Sequence, residues 1–234
     1  PADRRRAARG RARRAFLTFP APASGAGVHG ADGVLVGRPQ DAHLAEAAAP
    51  GAREEAAIRR LPLAGRILLG GLEGADEICQ NLAESVDQGH LTWRAYLSTQ
   101  GDNAINARDR IGPGPWFNAN GYRVAADVES LHNLNHRITA ETAQDERGRV
   151  IPGSFAVPNR HDILTGSTPD GRAYTSPDDM TCSNWTSSSD DGKARVGHHD
   201  FPAWASAHDS MGCSPNALRA SGGDGLLYCF AVRE

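Results

Sequence analysis

The later chain is expected to fold as an α+β domain of small antiparallel sheets, two early helices and long loops. Three observations lead there. All four tryptophans, all four tyrosines and all four cysteines lie beyond residue 70, so the large side chains that fill a core belong to that part. It carries many short runs of β-favouring residues punctuated by Gly, Pro, Asn and Asp. Only two segments, both early in it, have the spacing and caps of helices.

The first helix follows Gly74, where Ala75, Ile78, Cys79, Leu82 and Val86 recur on one face, Asp76 and Glu77 occupy the first turn and Gly89 ends the run. Cys79 falls on the buried face. The near-alternating stretch Thr92 to Ser98 reads as a strand leading into the polar loop Gln100 to Asn103. Asn106 to Arg110 is long enough for one helical turn before Gly112-Pro113-Gly114-Pro115 breaks regular structure. Trp116-Phe117 and Tyr122-Arg123-Val124 flank Asn118 to Gly121, a tight hairpin turn.

Asp127 caps a brief second helix through Leu131 and Leu134, and Thr139 to Val150 reads as a loop with one strand pair. From His161 to Ser188 the order is strand, turn, strand: Pro169 presets φ, Asp170-Gly171 turns the chain, and Cys182 with Trp185 returns it to the core. Ser187 to Ser214 is a long polar excursion that Val196 and Trp204 bury only in part. Leu226 to Val232, bounded by Gly222 to Gly225, is a buried central strand.

Residues 1–66 differ sharply. They are rich in Ala, Arg, Gly and Pro, with Phe16 and Phe19 as their only aromatics. The expected division is therefore an N-terminal segment, 1–69, and one domain, 70–234. The segment opens with a basic run from Arg4 to Arg14, and its apolar stretch Ala15 to Phe19 is short and followed by prolines, which argues against a secretory signal. A disordered tail and a misassigned start or reading frame are the two readings left for it.

The formal charge is −3, with the positive residues concentrated at the start and an acidic later chain, a balance that excludes a nucleic-acid partner for the domain. No apolar run approaches the roughly 18 residues of a membrane-spanning helix. Cys79, Cys182, Cys213 and Cys229 are widely and unequally spaced, without the close pairs that present two thiolates to one zinc ion. Disulfides in an oxidising compartment are the inference, with three pairings open.

Candidate chemistry lies in the polar excursion. His198-His199-Asp200 and His208-Asp209 bring imidazoles and carboxylates together, the donors a divalent metal or a polar ligand takes. Neighbouring residues on a strand face opposite ways, so His198 and His199 are not expected at one centre. Calcium and zinc thus have donors here without a recognised motif, and no cofactor is expected. His161-Asp162 has the makings of a catalytic dyad but lacks a nucleophile elbow, so no catalytic residue is expected. Trp185 and Trp204 could stack on a sugar ring, and Asp190 and Asp191 add acceptors to the same stretch. Asn184-Trp185-Thr186 is a glycosylation sequon only in form.

Two blocks are similar to a known family. Gly74-Ala75-Asp76, Cys79-Gln80 and Thr92 to Ser98, followed by Gly166 to Thr175 and Cys182-Ser183-Asn184-Trp185, resemble the corresponding stretches of endostatin; Ser210, Cys213 and Leu227-Tyr228-Cys229 match more loosely. The resemblance spans about residues 70–233 and is nearest to bacterial endostatin-like extracellular proteins. It implies a C-type-lectin-like fold with two nested disulfides, Cys79 with Cys229 and Cys182 with Cys213. The family's zinc site uses a histidine-rich N-terminal segment without a counterpart here, and its heparin surface a cluster of arginines that are dispersed here. The triplets of calcium-dependent sugar-binding lectins are missing too.

The expected function is that of a secreted or envelope-exposed, non-catalytic binding module for a glycan or an extracellular protein, with its contact surface between Trp185 and Cys213. A structural or adhesion domain without a small ligand is the first alternative. A metal-dependent enzyme built on His198, His199 and His208 is the second.

Overall fold

A computed structural model describes residues 69–232, together with the backbone of 17–18 and 35–37. Apart from those positions and Leu69, the expectation for residues 1–69 lies outside the described residues. The fold is mixed α+β, centred on the last strand. The elements in chain order are β1 (Leu17–Thr18), β2 (Leu35–Gly37), α1 (Gly71–Glu84), β3 (Thr92–Ala95), β4 (Trp116–Phe117), β5 (Arg123–Ala125) and α2 (Val128–Leu131). Then follow β6 (Asp162–Leu164), α3 (Cys182–Trp185), β7 (Arg195–His198), β8 (His208–Asp209), α4 (Pro215–Ser221) and β9 (Gly223–Val232).

Nine of the ten residues of β9 are buried, as its unbroken apolar run demands. β9 pairs antiparallel with β3 on one side and parallel with β6 on the other, and the short β1 and β2 also pair with it. The sheet then continues outward from β6 to β7 and β8, both antiparallel. The main sheet is therefore mixed, not antiparallel as expected; β4 and β5 form a separate hairpin. The long intervening chain between β6 and β9 is what permits their parallel pairing.

α1 begins three residues earlier than the periodicity indicates, and buries Ala75, Ile78, Cys79, Leu82 and Ala83 against the sheet. Asp76 ties it to the next strand. Its carboxylate accepts from the Ala95 N–H at 2.9 Å and from Arg110 at 2.8 Å, and pairs with Arg94 at 3.0 Å. Asp127 caps α2 in a reciprocal box with Ser130.

Two disulfides, Cys79–Cys229 and Cys182–Cys213, lie one inside the other along the chain. The first joins α1 to the central strand. The second anchors α3, a single turn in which all four residues, Cys182 to Trp185, have positive φ. A left-handed turn of non-glycine residues is costly, and several contacts hold it: Asp179 accepts from the Ser183 N–H, Asn184 bonds both ways with Gln100, and the Trp185 indole donates to Ser98 O at 2.8 Å.

The stretch from Ser187 to Ser214 departs most from expectation. It supplies β7 and β8, and Val196 and Trp204 are 1% and 2% exposed, so both are core. Gly197 explains why the strand is hard to read: a Cβ there would lie 1.7 Å from Trp204 O, so the backbones pack where side chains would usually mark a strand. α4 follows it, capped by Ser214, begun by Pro215 and ended by left-handed Gly222. Among the described residues no helix is long and apolar enough to cross a membrane.

Candidate functional site

Strand pairing assembles a group that lies dispersed along the sequence. Asp162 opens β6 and sits directly opposite His198 on β7, while His208 on β8 sits opposite Val196. Directly opposed residues share a face, and so do residues two apart on one strand, so Asp162, His198 and His208 point the same way. His161 precedes the strand, whose register with β9 shifts between Asp162 and Ile163, and its ring joins that side instead of alternating away.

The four side chains converge on one carboxylate oxygen. Nε2 of His161, His198 and His208 lies 3.1, 3.2 and 3.4 Å from Asp162 Oδ1. One donor atom from each residue lies within 4.8 Å of all the others. The His161 and His198 rings stack with centroids 4.1 Å apart, and His208 meets His198 edge-on at 4.9 Å. Asp162 is 3% exposed, whereas the His208 side chain is 41% exposed and opens the group to solvent.

Outside this group stands Asp200. Its carboxylate meets His161 Nδ1 at 3.1 Å and accepts from the Ser154 N–H at 2.7 Å. Burial opposes its charge, but the Ser154 bonds and the neighbouring imidazoles hold its pKa below the usual carboxylate range. The loop that begins at Ser154 carries Phe155 and Val157, both almost wholly exposed. Phe201 stands edge-on to His161 and His198, at 6.4 and 6.0 Å.

Beyond Phe201 the chain forms one wall of a shallow groove of about 280 Å³. Pro202 to Ser206 face His132 to His136 across it, and Leu134, 88% exposed, stands at its rim. His132 Nδ1 donates to Val128 O and its Nε2 accepts from the Tyr96 hydroxyl, each at 2.7 Å. Burial lowers the pKa of His132, and that of His136 as well. Such groups stabilise the fold fully above their unfolded pKa, about 6.5, and the contribution is lost as pH falls through their lowered native values. An NMR titration is expected to place the His132 pKa below that of a free imidazole; a value at or above it would contradict the hydrogen-bond assignment.

The sequence-expected residues separate into three sets. His198, His208 and Asp200 are drawn together, with His161 and Asp162, which the sequence offered only as a dyad. Trp185 and Trp204 are 2% exposed, and their indoles donate to Ser98 O and Leu131 O, so both are core residues and not a stacking surface. His199 is wholly buried, stays out of the cluster and has its pKa lowered to about 4 by burial. Asp190 accepts from the Ser214 hydroxyl that caps α4, and Asp191 is exposed; neither belongs to the cluster. The missed partnership depends on β6 pairing with β7, a contact between residues more than thirty apart that no local pattern encodes.

No protein-family model matches the chain, and no curated protein matches it.

Proposed function

We propose that residues 70–232 form a non-catalytic, extracytoplasmic binding module of the endostatin-like and C-type-lectin-like kind, which recognises a glycan or an extracellular protein. The observation that carries this reading is the surface running from the half-exposed His208 past Phe201 into the groove between 132–136 and 202–206. It combines convergent polar groups with apolar side chains that the fold leaves in water, the composition of a recognition surface. Two nested disulfides support placement outside the cytoplasm, where such bridges persist.

The reading is tested by screening the purified, oxidised protein against a glycan array and a panel of extracellular proteins, then repeating each positive with Leu134→Arg. Leu134 is 88% exposed, so the variant is expected to melt with the wild type yet bind at least about tenfold more weakly, a loss of roughly 1.4 kcal/mol. Undiminished binding by the variant would exclude the groove as the contact surface.

A further inference from the structure

The hydrogen bonds around the imidazoles determine what lies at the centre of the cluster. His161 Nδ1 faces the Asp200 carboxylate and His208 Nδ1 faces the Asp209 carbonyl at 2.9 Å. Both partners only accept, so each Nδ1 carries a proton, and in the neutral ring each Nε2 then presents a lone pair inward. The group they surround is a carboxylate, which also offers only lone pairs. None of the inward contacts has hydrogen-bond geometry: both oxygens of buried Asp162 and Nε2 of His198 have no hydrogen-bond partner. A carboxylate buried among lone pairs is strongly unfavourable unless a cation joins them.

The spacing around Asp162 fits a small cation, and the four donor atoms, all within 4.8 Å of one another, need close in only slightly to share one. Bonds of about 2.0–2.2 Å from a tetrahedral zinc ion to imidazole nitrogen and carboxylate oxygen place neighbouring donors ~3.3–3.6 Å apart. The three distances to Asp162 Oδ1, 3.1 to 3.4 Å, lie at or just inside that edge length. Three imidazoles with one carboxylate suit zinc better than calcium or magnesium, which take oxygen. The outer bonds from Asp200 and the Asp209 carbonyl have the form that orients metal-bound histidines.

We propose that His161, Asp162, His198 and His208 bind one zinc ion, which staples the outer strands β7 and β8 to β6. Four protein donors complete a tetrahedral shell and leave no position for substrate, so the ion is structural. Asp200 is a positioning residue: it holds the His161 ring while also holding the loop that carries Phe155 and Val157. The site borders the proposed recognition surface at His208, but its test is separate, since metal binding is measured without any glycan or protein ligand.

Purified, disulfide-intact protein is stripped with a chelator and titrated with zinc, and with cobalt(II) as a spectroscopic probe. The expected results are one ion per chain, the intense visible absorption of tetrahedral cobalt, and a melting temperature that falls on chelation and recovers with zinc. His208→Ala, at a half-exposed position, and Asp162→Asn are expected to weaken zinc binding by on the order of a hundredfold or more. His90→Ala, at an exposed position outside the cluster, leaves it unchanged. Folded wild-type protein that takes up neither ion, or His208→Ala that binds zinc like the wild type, overturns the proposal.

Discussion

Replacing Cys79 and Cys229 together by alanine is expected to lower the unfolding free energy by about 5 kcal/mol. The bridge spans 150 residues, and on the chain-entropy account the unfolded state gains most when so long a loop is released. Both sulfurs are wholly buried between α1 and β9, so the exchange also leaves a small void in the core. The inner bridge spans 31 residues, and the pair Cys182→Ala with Cys213→Ala is expected to cost about 4 kcal/mol. Denaturant unfolding of the two double variants reads the order directly. A larger loss from the inner pair would mean that α3, with its four positive-φ residues, depends on the bridge for more than loop closure.

Gly197→Ala is expected to cost about 3 kcal/mol or more, toward the upper end for an overpacked core. Its Cβ would lie 1.7 Å from Trp204 O and 2.4 Å from Trp204 C. That backbone has little freedom to retreat: the Thr165 hydroxyl donates to Ala205 O, Ala207 N–H to Val196 O and His198 N–H to Ala203 O, at 2.7, 2.7 and 3.0 Å. Since β7 also carries His198, the variant is expected to lose cluster geometry along with stability. A melting temperature within a degree or two of the wild type would show that the 203–207 chain can yield.

Local signals were legible where they were strong. The periodic face of α1, the Asp127 cap, the Asn-Gly hairpin and the apolar run of β9 all appear near their expected positions. Composition left the disulfide pairing open; the structure contains the two pairs that the resemblance implies. β7 was missed because Gly197 and His198 interrupt its pattern. α4 was missed although Ser214-Pro215 and Gly222 bracket it, because seven residues show too little periodicity to stand out.

The candidate site was legible only in pieces. His198, Asp200 and His208 were visible as neighbours in a polar stretch, and His161-Asp162 as a separate dyad. Their union follows from β6 lying beside β7, which is a property of the sheet and not of either segment. The same pairing removes His199, which alternation turns into the core.

Non-reducing peptide mapping of protein exported through an oxidising compartment tests the covalent frame on which the extracytoplasmic reading rests. The expected result is complete linkage of Cys79 to Cys229 and of Cys182 to Cys213. Free thiols, or any other pairing, would contradict it.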